Sequence, residues 1–261
     1  MKDLTVKDPV VIIGIGEIGA VFARGFLRTG HPVYPITRSM DIQAERSQVP
    51  EPIVVIVAVG EADLHPALEK LPDEWKPRIA LIQNELLPAD WQCHGLVDPT
   101  IASIWFEKKP GQDVKVVIPS PVYGEHAELL TGSLNALDIP AYLVHDRERL
   151  LFELVRKNYY ILASNIAGLK VGGNVSKLWA EHEPLVRTIA GDIHTLQEHL
   201  TGNKLEHEEL LQAMLVAFDG DPGHQCMGRS APARLQRALR IADEAGLDVP
   251  ALREIAAASR Q

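Results

Sequence analysis

Residues 9–19 of the chain read PVVIIGIGEIG, and this stretch decides the fold. The apolar run from Val10 to Ile13 predicts a strand that is buried on both faces of a parallel sheet, because such strands carry no polar alternation. Residues 17–29, EIGAVFARGFLRT, then place apolar side chains at helical spacing, and Gly30 ends the helix. A glycine-rich turn that joins a buried strand to an amphipathic helix is the setting in which a GxGxxG sequence binds a dinucleotide.

The three glycines of this turn have separate uses in such a site. Gly14 permits the tight turn, Gly16 has no side chain to block a pyrophosphate, and Gly19 lets the helix pack closely on the sheet. The N–H groups at the helix start then face the negative ligand. We therefore predict cofactor contacts along the whole motif, which consists of Gly14, Ile15, Gly16, Glu17, Ile18 and Gly19. A strand-to-helix turn without a ligand is the alternative interpretation.

The end of the second predicted strand selects between the two nicotinamide cofactors. The sequence there is PITRS, and no carboxylate follows until Asp41. An acidic residue at this point would bind the ribose hydroxyls of NAD, whereas an arginine accommodates the 2′-phosphate of NADP. Arg38 offers a planar guanidinium, and Thr37 and Ser39 offer hydroxyls, so we predict NADP, bound as NADPH. The alternative for Arg38 is a solvated surface side chain.

Composition excludes several other classes of function. The chain has 261 residues, of which 46% are hydrophobic and 23% charged, which is enough for a globular protein with a sizeable core. Its net charge is −9 and no basic run occurs, so we expect no nucleic acid and no anionic membrane as the main partner. The first residues contain no apolar signal core, and no apolar run is long enough to cross a bilayer.

Cysteine and histidine usage gives no sign of a metal site. Cys93 and Cys226 have no metal-ligand spacing and cannot form a disulfide framework, so we expect reduced thiols in a cytoplasmic protein. None of the ten histidines lies in a HExxH sequence or other ligand spacing. We therefore predict no metal and interpret the helix histidines, such as His194 and His207, as solvated side chains.

Strand and helix signals alternate along the first half of the chain and give way to helices after residue 146. Further strands are predicted at residues 32–36, 53–59, 79–83 and 141–144, with a hairpin joining 101–107 to 114–118 and helices at 63–71 and 125–137. Val59, which ends the run at residues 53–59, is another predicted cofactor contact. Five helices follow, at residues 147–169, 176–200, 205–218, 231–245 and 251–259.

This order of elements predicts an α/β fold class with two domains. Residues 1–146 would form a Rossmann-type dinucleotide-binding domain with a doubly wound sheet. Residues 147–261 would form an all-helical domain for substrate binding and dimerisation.

Three polar side chains outside the turn are candidates for a substrate site. Asn84 follows a predicted strand of the nucleotide domain, where ligands meet open parallel sheets, although capping of the next turn is an equal alternative. Lys157 and Asn165 are eight residues apart, so they fall on roughly one face of a predicted buried helix. A lysine in that setting could exchange protons near neutral pH, whereas the common fate of a helical lysine is to extend to the surface.

Taken in order, these features resemble the ketopantoate reductase family, whose members are related to 6-phosphogluconate dehydrogenase. The resemblance rests on the GIGEIG turn, Arg38, the pair Gln83-Asn84, the hairpin, Lys157 with Asn165, and the late helix of residues 234–250. It implies an NADPH-dependent reduction of a small 2-keto acid or related carbonyl. By the same resemblance, Asn84 would bind cofactor and substrate, Lys157 would donate the proton, and Asn165 would hold the substrate. Relatives often dimerise, so the resemblance also implies a homodimer.

The sequence departs from the family pattern at four positions. Glu85 stands where the family has glycine, Gly60 where it has lysine, Ile161 where it has asparagine, and Ser230 where it has a glutamate that binds the substrate hydroxyl. These departures keep two alternatives open. One is a dinucleotide-binding sensor or interaction protein without catalysis, and the other is a related dehydrogenase that acts on another hydroxy acid or an imine.

Overall fold

The computed structural model describes residues 7–258, and the chain divides into two compact units. The first unit extends to Glu153 and the second begins at Leu154. The predicted helix end at Ser259 and the first six residues lie outside the described part of the chain.

Nine strands lie in the described part of the first unit. They are β1 (Val10–Ile13), β2 (Val33–Ile36), β3 (Val54–Val57), β4 (Ile79–Leu81), β5 (Thr100–Ala102), β6 (Phe106–Glu107), β7 (Lys115–Val116), β8 (Ser120–Tyr123) and β9 (Ala141–Val144). Seven of them form one sheet in the order β2-β1-β3-β4-β5-β8-β9. Neighbouring strands are parallel except β5 and β8, which are antiparallel, and β6 pairs with β7 in a separate antiparallel hairpin.

Five α-helices connect these strands. They are α1 (Glu17–Arg28), α2 (Ile42–Glu45), α3 (Leu64–Leu68), α4 (Pro88–Gln92) and α5 (Ala127–Asn135), and short 3₁₀ helices cover Glu61–Asp63 and Asp73–Arg78. Every residue of β1 and β3 is buried. Phe22 and Phe26 of α1 and Leu130 of α5 pack with these strands in one hydrophobic core. Removing such side chains from water is the main force that holds the helices on the sheet.

Five helices make up the rest of the described residues, up to residue 258. They are α6 (Arg147–Val171), which begins before the unit boundary, and α7 (Val175–Thr201), α8 (His207–Gly220), α9 (Ala231–Ala245) and α10 (Pro250–Ala258). The side chain of Asn174 accepts a hydrogen bond from the backbone N–H of Lys177 and so caps the start of α7. Gly202, with φ of +66°, ends the same helix. No helix within residues 7–258 has the combination of length and apolar composition that a bilayer span requires.

The predicted α/β fold with its late helical region is confirmed. Pro35 is accommodated inside β2 because this strand lies at the edge of the sheet, where a missing N–H leaves no partner unsatisfied. The predicted strand at 101–107 is wrong in detail, since its first part joins the large sheet as β5 and its end joins the hairpin as β6. Strand β8 and the short helices α2 and α4 were not predicted, because four or five residues carry no clear periodicity.

Candidate functional site

The glycine turn after β1 is shaped by close backbone contacts. Gly14 has φ of +93°, and a Cβ atom at this position would lie 2.8 Å from the carbonyl oxygen of Ala58. The backbone N–H of Gly14 donates to the carbonyl of Ile36 at 2.9 Å, which holds the turn beside the end of β2. A Cβ atom on Gly19 would lie only 2.1 Å from the carbonyl oxygen of Gly14. Only glycine fits at both positions without a backbone shift.

Gly16 differs from Gly14 and Gly19, the other two glycines of the motif. A Cβ atom added there would meet no heavy atom within 4 Å, so the protein itself does not require glycine at this position. Gly16 is the N-cap residue of α1 and supplies no side-chain cap to the first turn. The backbone N–H groups of a helix start attract an anion, and the open space above Gly16 permits its close approach.

A groove of about 770 Å³ begins at this turn. Seven of the predicted cofactor residues line it, namely Gly14, Ile15, Gly16, Thr37, Arg38, Ser39 and Val59. The other four, which are Glu17, Ile18, Gly19 and Asn84, do not line it. Its size lies within the range of pockets that hold small ligands and cofactors. Among the residues that sequence reasoning did not assign to this groove are Asp63 and Lys70.

Three of the charged residues that line the groove, Arg38, Asp41 and Asp63, differ in their partners. Nη2 of Arg38 lies 3.0 Å from Oδ2 of Asp63, and both side chains are well exposed, at 91% and 55%. The carboxylate of Asp41 is occupied differently, because it accepts hydrogen bonds from the backbone N–H groups of Gln43 and Ala44 at the start of α2. Arg38 is therefore paired with Asp63 rather than with Asp41.

A second cation lies beside the start of α1. Nζ of Lys108, in the loop between β6 and β7, lies 3.1 Å from Oε2 of Glu17, and its side chain is only 21% exposed. The sequence predicted the hairpin. It gave no indication that Lys108 of the hairpin loop reaches Glu17 of α1, because the two residues are far apart in the chain.

The segment after β4 places Gln83 and Asn84 in different environments. The buried Gln83 side chain donates from Nε2 to the carbonyls of Val57 and Val59, at 2.7 and 3.3 Å, and so fixes the end of β3. Asn84 is exposed at the turn that follows. Glu85 has φ of +58°, a left-handed conformation that suits glycine, the residue that the family pattern has here.

The two candidates on α6 are both buried. Lys157 is 8% exposed and Asn165 is 7% exposed, about 12 Å apart along the helix axis. Nδ2 of Asn165 donates to the carbonyl of Cys226 at 3.2 Å, and its Oδ1 accepts a hydrogen bond from Nη1 of Arg234 at 2.9 Å. The surface-lysine alternative for Lys157 is thus wrong.

Arg234 is a candidate that sequence reasoning did not single out. It is half-buried in the first turns of α9, whose N-cap residue is Ser230. Ser230 makes no side-chain cap hydrogen bond, and by the resemblance in the sequence it stands where the family pattern has a glutamate. A guanidinium that is already bonded to the Asn165 amide gives this end of α9 a positive charge instead, which suits an anionic substrate group.

The second unit also contains a tyrosine between two histidines. The hydroxyl of Tyr159 lies 2.6 Å from Nδ1 of His194 and 3.1 Å from Nδ1 of His207. Burial raises the pKa of Tyr159, and burial, aided by the charge of His194, lowers the pKa of His207. The interpretation of these two histidines as solvated side chains is therefore wrong.

Sequence comparisons give no match. No family model matches the chain, and no curated protein does.

Solved structures, in contrast, share the fold at low sequence identity. A ketopantoate reductase of the PanE/ApbA family from Ralstonia eutropha JMP134 is 18% identical, with a TM-score of 0.66 and 97% of each chain covered. A dimeric ketopantoate reductase from Staphylococcus aureus is 17% identical, with the same TM-score and coverage. A D-mandelate dehydrogenase, solved with NADH and anilino(oxo)acetate, is 12% identical, with a TM-score of 0.62 over 96% of this chain and 97% of that one. Across 97% of its length, this chain therefore has the fold of the ketopantoate reductases, as the resemblance in its sequence predicted.

Proposed function

We propose that this chain is an NADPH-dependent oxidoreductase that reduces a small 2-keto acid or related carbonyl compound. The observation that carries the proposal is the glycine turn, where Gly14 and Gly19 are sterically required and Gly16 leaves open space at the uncapped start of α1. Steric need explains two of the glycines without any ligand. The third is explained by a ligand that must approach the backbone closely.

The residues of the groove fit a dinucleotide. The start of α1 offers N–H groups to a pyrophosphate, and the groove continues to Thr37, Arg38 and Ser39. Arg38 favours the 2′-phosphate of NADPH, whereas Oδ1 of Asp41, the nearest carboxylate in the sequence, is engaged in capping α2. A bound nicotinamide would supply a hydride to the carbonyl carbon of the substrate.

The chain's own polar groups would act on the substrate. We assign proton donation to the Nζ group of Lys157, which neutralises the alkoxide that forms as the carbonyl is reduced. Asn165 and Arg234, joined by a hydrogen bond, would bind the carboxylate of a 2-keto acid. Asn84 is assigned to contacts with cofactor and substrate.

The first experiment compares the two cofactors and then the substrates. We expect NADPH to bind more tightly than NADH in a fluorescence titration, and NADPH oxidation to occur with at least one member of a panel of 2-keto acids. NADH is the serious competitor, because the D-mandelate dehydrogenase of similar fold was solved with it. Equal affinity for both cofactors would contradict the assignment of Arg38.

The role of Lys157 is tested by Lys157→Ala, with Lys157→Met as a variant that keeps the apolar stem. We expect kcat to fall by about 10²- to 10⁴-fold while NADPH affinity is retained. Lys170→Ala is the matched control, since Lys170 lies near the exposed end of the same helix and pairs with Glu254. An unchanged kcat in folded Lys157→Met would exclude the proton-donor role.

The same measurements distinguish a sensor from an enzyme. Tight NADPH binding without turnover on a broad panel of keto acids, hydroxy acids and imines would favour the non-catalytic alternative.

A homodimer is the assembly that we propose, by analogy with the dimeric reductase of similar fold. Light scattering of the purified chain measures it directly.

A further inference from the structure

Three metal-ligand side chains meet in the first unit. They are His65 of α3 and the neighbours Cys93 and His94, which follow α4, and their ligand atoms all lie within 4.8 Å of one another. Nδ1 of His65 is 2.8 Å from Nε2 of His94. We propose that this cluster binds a divalent transition metal, with Zn²⁺ as the best match.

The donor set favours Zn²⁺ over harder cations. Two imidazoles and one thiolate are borderline and soft ligands, which suit Zn²⁺ and its neighbours in the first transition row, whereas Mg²⁺ and Ca²⁺ select oxygen ligands. At Zn–N distances of about 2.0–2.1 Å, two nitrogens of a tetrahedral site are separated by about 3.4 Å. His65 and His94 would reach this separation by a small rotation of partly exposed rings.

A carboxylate lies close to the first of these histidines. Oδ1 of Asp90 lies 3.6 Å from Nε2 of His65, on the side of the ring opposite His94. The other oxygen, Oδ2, accepts a hydrogen bond from the backbone N–H of Leu87 at 2.7 Å, so the carboxylate is held in place. A carboxylate that receives the outer N–H of a metal-bound histidine fixes its tautomer and raises its basicity as a ligand. A small rotation of the His65 ring that closed the 3.6 Å separation to hydrogen-bond length would let Nε2 donate to Asp90 and leave Nδ1 as the metal-binding nitrogen.

The backbone around the cluster is well supported. The N–H of Cys93 bonds to the carbonyl of Ala89, and the N–H of His94 bonds to the carbonyl of Trp91, whose side chain is buried. Gly95, with φ of +73°, then turns the chain away. Cys93 and His65 are both exposed, so a metal held here would keep a coordination position open to water.

Local sequence patterns could not reveal this site, because His65 and His94 are 29 residues apart. The proposal replaces the expectation of no metal that was drawn from spacing alone. It does not depend on the proposed reductase activity, since none of the three ligands lines the dinucleotide groove. The competing explanation is a hydrogen bond between two neutral histidines beside a thiol that binds nothing.

The test is a Co²⁺ titration of the untagged, reduced full chain, with Co²⁺ as a spectroscopic substitute for Zn²⁺. We expect one equivalent to bind and to give the thiolate-to-cobalt charge-transfer band, which Zn²⁺ then displaces. Cys93→Ser should abolish the band, and His65→Gln and His94→Gln should weaken binding. Asp90→Asn should lower metal affinity by about 10- to 100-fold. His145→Gln, which changes an exposed histidine outside the cluster, should bind as the parent does.

A second readout uses the reactivity of Cys93. Bound Zn²⁺ should slow alkylation of the Cys93 thiol, and a chelator should restore the rate. Cys226 is the internal reference, because it is buried and burial raises its pKa to about 11. Absence of the charge-transfer band, or equal Co²⁺ affinity in the parent and in Cys93→Ser, would overturn the proposal.

Discussion

The guanidinium of Arg38 and the carboxylate of Asp63 form an ion pair of 3.0 Å at the groove that begins at the glycine turn. Both residues line the groove, so the cation that we assign to the 2′-phosphate already has an anionic neighbour. Exposed pairs of this kind contribute at most about 1 kcal/mol to stability, and Arg38 can exchange one partner for another at little cost. The carboxylate nevertheless repels any phosphate that approaches Arg38.

Asp63→Asn should therefore tighten NADPH binding. We expect the dissociation constant for NADPH to fall by about two- to fivefold, which corresponds to the free energy of an exposed ion pair. NADH, which has no 2′-phosphate, should bind this variant and the parent equally. Fluorescence titrations of both cofactors measure the difference, and an equal gain for NADH would show that the carboxylate acts elsewhere on the ligand.

The glycines of the turn should respond differently to the same substitution. Gly19→Ala places Cβ 2.1 Å from the carbonyl oxygen of Gly14 and should lower the free energy of unfolding by about 3 kcal/mol or more. Gly16→Ala meets no protein atom within 4 Å, so its cost should be limited to that of alanine at the N-cap of α1, about 1 kcal/mol or less. Its NADPH affinity should nevertheless fall by about tenfold or more, equivalent to about 1.4 kcal/mol. Undiminished binding by Gly16→Ala would contradict the assignment of the pyrophosphate to this turn.

Much of the fold could be predicted because its central strands are buried on both faces. The runs Val10–Ile13 and Val54–Val57 are apolar throughout and give a clear signal. Strand β8 (Ser120–Tyr123) gave none, because it is short and contains a proline. Its position is set by pairing with β5 and β9, which is information that no local pattern contains.

The candidate site, like the fold, could be predicted from the sequence only where it depends on a local motif. The glycine turn is a local motif, so its position and geometry could be predicted from a few residues. The bond between Asn165 and Arg234 joins residues 69 positions apart, and the two histidines of the proposed metal site are 29 apart. Pairings of this kind depend on how helices pack, and the sequence carries no local sign of them.

Glu85 is expected to hold the chain in a strained conformation after β4. Its φ of +58° is unfavourable for a residue with a Cβ atom by about 1 kcal/mol. Glu85→Gly should raise the free energy of unfolding by about that amount, as measured by urea denaturation. Glu85→Ala, which keeps Cβ but removes the charge, is the control and should not give the gain. Equal stabilisation by both variants would identify the carboxylate, rather than the backbone, as the source of the cost.

Arg234 is expected to select an anionic substrate. Replacing it by Gln removes the charge while retaining a hydrogen-bond donor near Asn165. A charge-assisted hydrogen bond contributes about 1.5–3 kcal/mol, so KM for a 2-keto acid should rise by about 10- to 100-fold. NADPH affinity should not change, because Arg234 does not line the dinucleotide groove. An unaltered KM would remove Arg234 from the substrate site.

The half-buried His207 should make stability depend on pH. Burial, and then the neighbouring His194, lower the pKa of His207 in the folded chain, whereas an unfolded histidine titrates near 6.5. Between the lowered pKa and about 6.5, the unfolded chain binds more protons than the folded one, so the free energy of unfolding rises with pH. The contribution is complete above about pH 6.5 and is lost as the pH falls toward the folded pKa.

Comparison of variants separates His207 from other groups, including His126, whose pKa burial also lowers. Urea denaturation at about pH 7.5 and about pH 5 should show a smaller pH effect in His207→Gln than in the parent chain. His199→Gln is the matched control, because His199 is exposed on α7 and should leave the pH effect unchanged. If His207→Gln loses as much stability as the parent on acidification, protonation of His207 is not the cause of the acid destabilisation. In that case the parent chain would keep the hydrogen bond between His207 and the Tyr159 hydroxyl after the His207 ring is protonated. The ring N–H would donate and the Tyr159 hydroxyl oxygen would accept.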